Sequence, residues 1–293
     1  MLGFAGRALL LMLLVPAAGT FAAENRNLDN VRRVLEASTF PRAAQVEVNT
    51  KAAAAINAGV PSEDVEIIVS RAVARGADAG TINRFLDTGM SVKKEGLPVR
   101  PVLDRIEQGL SKGVPTERIA AASQRLAEKM ATAQPLVDTL IRNGMTPRRG
   151  NEREAAIASA ARALEKSMNA QDIETMGGAV RNKRGSPMLF TSAMDTATYF
   201  AASGMFSKTA MHLVRDAVEK GASERDLGAM VRRVDDEMKR GTRAEDAATK
   251  MERGNMQGEQ GMEQGMDRQE MRQEMRTDHG GMGSGPGKGG HGM

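Results

Sequence analysis

The chain has 293 residues, with 41 Lys and Arg against 37 Asp and Glu and a formal net charge of +4. It contains no Cys, no Trp, one Tyr and three His. The lack of Cys excludes disulfide scaffolds, thiolate zinc sites, iron–sulfur clusters and thiol nucleophiles. A basic surplus this small, spread over so many charges, argues against a dedicated nucleic-acid binder.

Residues 1–23 read as a secretory signal peptide. Arg7 gives a short basic start, Ala8 to Val15 form an apolar run, and small residues around Thr20 and Ala22 suit cleavage. The run is too short for a membrane span, which needs about 20 apolar residues. Residues 186–206 come nearest to a later span, but Asp195 and several hydroxyl residues interrupt them. The expectation is a mature bacterial protein, periplasmic or secreted, without a transmembrane helix.

Residues 24–252 read as an all-α helical repeat domain. The turn Gly59-Val60-Pro61-Ser62-Glu63-Asp64 recurs as Gly113-Val114-Pro115-Thr116-Glu117, then at Ser167 and Gly221, each 54 positions on. A second marker runs Gly89-Met90, Gly144-Met145 and Gly204-Met205. Gly after a helix supplies the left-handed position, and the apolar residue behind it folds back on the last turn. Ser62, Thr116 and Ser223 are then candidate caps for the next helix, with acidic residues suiting its dipole.

Helical periodicity predicts helices at 27–37, 43–58, 62–75, 78–88, 99–112, 116–133, 135–143, 152–167, 170–183, 188–203, 207–220, 223–240 and 243–253. That is about four units of roughly 54 residues with three helices each. Such units form either a solenoid-like stack or a compact bundle. Phe190, Tyr199, Phe200 and Phe206 concentrate the few rings into one stretch, expected as the densest core, with a pocket lining by Phe190 and Tyr199 as the alternative.

Residues 253–293 are a different material, rich in Gly, Gln and Met and expected to stay flexible. The stretch from Asp267 to Arg276 is weakly helical in pattern. Thioether sulfur is soft and selects Cu(I), and imidazole binds Cu(II) as well. Met262, Met266, Met271, Met275, His279, Met282, His291 and Met293 are therefore candidate ligands for Cu(I), the one cofactor suggested. The tail resembles Met/His-rich tails of periplasmic copper-handling proteins in composition alone. The alternative is a solvated segment that aids solubility or touches a partner.

No catalytic constellation is visible. His212 is the one His outside the tail, so any Ser–His pair would depend on it. Glu63, Asp64, Glu117, Asp172, Glu224 and Asp226 lie at helix starts, where dipole and capping explain them. Arg148, Arg149 and Arg153, and Arg181, Lys183 and Arg184, form two basic clusters read as solvated loop charge. The sequence predicts a non-enzymatic binding or scaffolding module with a protein partner and no nucleic acid. Its alternative is a periplasmic metal handler acting through the tail.

Overall fold

The structure, a computed structural model, describes residues 18–250 except Ala248. All regular structure among them is helical. The first half contains α1 (Ala18–Glu36), α2 (Arg42–Asn57), α3 (Ser62–Ala74), α4 (Ala79–Lys94) and α5 (Arg100–Ser111). A long α6 (Thr116–Arg142) follows. The second half contains α7 (Glu152–Glu165), α8 (Ala170–Asn182), α9 (Pro187–Ala202), α10 (Ser207–Glu219) and α11 (Glu224–Lys239), with a further helical segment from 244.

Each helix from α2 to α11 ends the same way. The residue after the C-cap takes positive φ, and the next N–H reaches back to the carbonyl five residues earlier. Val60 donates to Ala55 at 3.0 Å, Leu97 to Val92 at 3.0 Å, Met145 to Leu140 at 3.1 Å and Met205 to Phe200 at 3.1 Å. These bonds satisfy carbonyls left orphaned at the helix end, and the apolar residue that donates them is buried. The turn thus anchors itself in the core while reversing the chain.

The left-handed positions recur on a fixed beat. Gly59, Gly76, Gly96 and Gly113 follow in steps of 17, 20 and 17, and Ser167, Arg184, Gly204, Gly221 and Gly241 in steps of 17, 20, 17 and 20. The recurring unit is therefore a helix pair of 37 residues. The 54-residue spacing of the turn sequence spans three consecutive helices of this series. Gly144 and Gly204 of the second marker are helix ends, whereas Gly89 lies inside α4, packed near Val60 and Leu103.

Most helices pack on the second one after them. Thus α1 meets α3, α3 meets α5, α2 meets α4, and α4 meets α6; beyond α6, α6 meets α8, α8 meets α10, α7 meets α9 and α9 meets α11. Polar rungs at a separation of 36 tie successive pairs. Asn30 donates to Glu66, Lys51 to Asp87 and Asn83 to Glu47 at 2.7–2.9 Å, while Arg71 pairs with Glu107 at 2.9 Å and Arg100 with Asp64 at 2.6 Å. In the second half the Tyr199 hydroxyl donates to Asp235 at 3.1 Å across the same interval.

Between Gly113 and Ser167 the beat breaks. Where the periodicity predicts helices at 116–133 and 135–143, α6 runs unbroken through Pro135. Proline there gives up one helical hydrogen bond and crowds the preceding turn. Buried Met130, Ala133, Val137 and Leu140 on both sides anchor the helix across it. α6 packs on α4 and α5 of one half and on α7 and α8 of the other. Arg105 of α5 also forks onto Glu165 of α7 at 2.8 and 3.2 Å.

Small residues bring this centre close together. Ala156, Ala158, Ala160, Ala161 and Ala163 of α7 are buried around Ile157. A Cβ on Gly177 of α8 would land on the Leu140 methyls and within 2.9 Å of Leu140 Cγ. Other helices differ from expectation in detail. α4 continues to Lys94 rather than stopping at 88, because Val92 is core. Pro61 and Pro115, not Ser62 and Thr116, occupy the N-cap positions and offer no side-chain acceptor. Ser223 caps as expected, with Asp226 completing a reciprocal capping box.

Gly177→Ala is expected to destabilise by about 1–3 kcal/mol through overpacking against Leu140. Pro135→Ala, on an exposed position, is expected to stabilise by up to about 3 kcal/mol. Thermal melts followed by circular dichroism check both signs.

Candidate partner-docking surface

The proposed Cu(I) ligands Met262, Met266, Met271, Met275, His279, Met282, His291 and Met293 lie outside the described residues. Among the described residues no cluster of three or more His, Asp or Glu side chains is arranged to hold a metal. No described helix is long and apolar enough to cross a membrane. His212 is exposed on α10.

The carboxylates at helix starts have structural duties. Asp64 is buried at 6% side-chain exposure and is held by Arg100, with its Oδ2 left unpartnered. Asp64, then Asp104, raises the Arg100 guanidinium further above its usual value. Asp226 is lowered by the hydroxyl and backbone N–H of Ser223. On the same helix Asp235 is lowered by Lys239 and by Tyr199, and Glu237 by Lys250.

The basic clusters do not converge as sites. Arg153 is locked to both oxygens of Asp138 at 2.7 and 2.9 Å, which raises its guanidinium above the usual value. Arg184 serves the backbone as a left-handed cap with φ of 54°. Its neighbours Arg181 and Lys183 are exposed, as are Arg148 and Arg149.

The rings divide. Phe190 and Phe200 are buried in the core, and Tyr199 meets Phe200 edge-on at 6.1 Å while its hydroxyl reaches Asp235. Neither Phe190 nor Tyr199 lines the grooves described below. Phe206 is the exception to the expected core, at 74% exposure. Met205 takes the buried place after the turn, so Phe206 falls on the N-cap of α10 and points outward. Its position directly after Gly204-Met205 is the signal that sequence reasoning passed over. At the matching place Asp78, Asn169, Ser186 and Ser223 each accept a backbone N–H, whereas Pro61 and Pro115 do not.

Two grooves lie elsewhere on the surface, and Phe206 lines neither. One of about 360 Å³ runs between α4 and α6, floored by Ala127 and Ala131 and edged by Asp87, Glu95 and Glu128. Asp87 is paired with Lys51, whereas Glu95 accepts from Ser91 and Glu128 from Gln124. The other, of about 350 Å³, lies between the end of α10 and the start of α11. Large exposed rings are enriched at protein interfaces, and Phe206 is one among the described residues.

No family model, no curated protein and no solved structure matches the chain.

The lowered carboxylates make α11 acid-sensitive. The folded state binds their protons more weakly than the unfolded chain, so their stabilisation is full above the ordinary carboxylate range. It is lost as pH falls from about 4 through the depressed folded values. On acidification, amide protection in 224–239 is expected to fall in that window, and Asp226→Asn should blunt the response in a hydrogen-exchange series.

Proposed function

We propose that the chain is an exported, non-enzymatic helical-repeat protein that binds or scaffolds a protein partner in the bacterial envelope. Export rests on the signal-like segment 1–23, and scaffolding on the serial packing of similar helix pairs. Phe206 carries the docking step. At 74% exposure it gives up both the burial of a ring and the cap hydrogen bond that Ser or Asn would make there. Neither loss benefits the fold, and both are recovered if a partner buries the ring, as aromatic anchors do at interfaces.

The test is capture of partners from an envelope extract on the immobilised mature chain. Phe206→Ala is expected to weaken capture roughly tenfold or more. Phe206→Ser should weaken it equally while raising stability by about 1 kcal/mol, because a serine hydroxyl can accept from the Thr209 N–H. Unchanged capture would remove Phe206 as the anchor, and a destabilised Ser variant would make the ring structural.

The second reading is a periplasmic copper handler. Two of the three His and seven Met lie from Met256 onward, a soft donor set suited to Cu(I). A Cu(I) titration against a chromophoric competitor is expected to show uptake by the mature chain. Replacing Met262, Met266, Met271 and Met275 by Gln should abolish it; no uptake by the unaltered chain would end this reading.

A further inference from the structure

The array begins with α1 and α2, and no described helix lies before them. A cleft of about 80 Å³ sits between these two helices, with Arg32, Leu35 and Glu36 on one side and Arg42, Val46 and Asn49 on the other. Gln45 completes the lining. One helix pair later, the positions matching Gln45, Val46 and Asn49 are Ile82, Asn83 and Leu86, and all three are buried. There α4 packs on α2, and Asn83 donates to Glu47 of α2 at 2.7 Å.

A terminal unit needs a polar outer face, and Gln45 in the place of Ile82 meets that need. Two neighbours run against it. Val46 is 53% exposed where the interior places polar Asn83. Asn49 stands in the place of Leu86, and its Oδ1 is buried without a hydrogen-bond partner. A buried acceptor without a donor costs stability, and an exposed apolar side chain contributes none. A ligand that brings an N–H and an apolar group satisfies both.

Charge adds a third requirement. Arg32 faces Glu36 at 4.0 Å and Asp29 at 3.2 Å. Arg42 donates to Gln45 Oε1 at 3.2 Å and makes no ion pair among the described residues. The first turn of α2 holds no acidic residue, and Pro41 at its N-cap makes no side-chain cap bond, so the positive end of this helix is uncompensated too. Arg42, Val46 and Asn49 follow at i, i+4 and i+7 along one face of α2. Cation, apolar contact and acceptor therefore stand in a row about 10 Å long.

We propose that this cleft binds the carboxyl terminus of a peptide. The carboxylate meets Arg42, the last side chain rests on Val46 and Leu35, and the N–H of the preceding residue donates to Asn49 Oδ1. Two extended residues span about 7 Å, and the Arg42 side chain covers the rest of the row. Capture of a chain end by its carboxylate is an established mode of peptide recognition. The small cleft selects a small last side chain such as that of Val. This site lies on α1 and α2 and does not depend on Phe206 at the start of α10. Its test uses a defined peptide, so it stands or falls apart from capture through that ring.

Fluorescein-labelled Gly-Ser-Ala-Ala-Val is titrated with the full mature chain and followed by anisotropy, beside the same peptide ending in an amide. Peptides ending in Ala and Leu run in parallel. The best acid peptide is expected to bind roughly tenfold or more tighter than its amide. Arg42→Gln should erase that difference. Asn49→Leu should weaken the acid peptide roughly fivefold while raising the melting temperature, because it restores the interior choice. No binding of any acid peptide, or equal binding of acid and amide, would overturn the proposal. An acid preference that survives Arg42→Gln, or an affinity unchanged by Asn49→Leu, would overturn the assignment to this cleft.

Discussion

The packing of α6 against both halves is the constraint on which the rest depends. On either side of it the chain repeats a beat of 17 and 20 residues, each helix needing only its neighbours. A regular beat would interrupt α6 once between Gly113 and Ser167. Instead 27 residues run as one helix, and α6 touches α4, α5, α7 and α8. The exchange has a cost in backbone terms, since Pro135 weakens the ladder where the two halves meet. It is sustained by Met130, Ala133, Val137 and Leu140, by the alanine surface of α7, and by the missing Cβ of Gly177, which lets Leu140 seat. The omission also shifts the order of short and long steps, so that the short helices are α3 and α5 before it and α8 and α10 after it.

Within each half, two devices divide the labour. The backbone turn fixes where a helix ends and which residue enters the core, using hydrogen bonds that no side chain supplies. The rungs at 36 fix how one helix pair lies on the next. Most rungs are partly exposed and add little energy individually. Their value is registry: Asp64 is buried, so sliding α5 along α3 would leave a carboxylate without its cation. Ser167 and Arg184 show that the turn tolerates side chains in left-handed backbone where the surroundings impose it, although each costs roughly 1–2 kcal/mol relative to Gly.

Much of the fold was legible because turn chemistry and apolar period point the same way here. Helix positions follow from Gly, the apolar residue behind it and the 3.6-residue stripe, and most expected boundaries lie within two residues of those observed. The unit length was harder. Turn sequences at Gly59 and Gly113 look most alike, yet they end helices on opposite sides of a pair, so similarity of sequence skipped a helix. Pro135 misled for a related reason: local propensity says stop, and buried contacts on both flanks override it. Phe206 was assigned to the core because rings normally dominate packing; only the cap geometry shows that Met205 fills the inward place. The groove between α4 and α6 has no local signature, since it joins residues from helices that are distant in sequence.

The same neighbour-only wiring governs how the chain can fold. Apart from the fork of Arg105 on Glu165, which spans 60 residues, the side-chain hydrogen bonds seen here close intervals of 41 residues or fewer. Loop-closure entropy is therefore small at nearly every step. Each half can nucleate on its own helix pairs without waiting for the other. Joining them is left to α6, whose contacts with both halves complete the native topology.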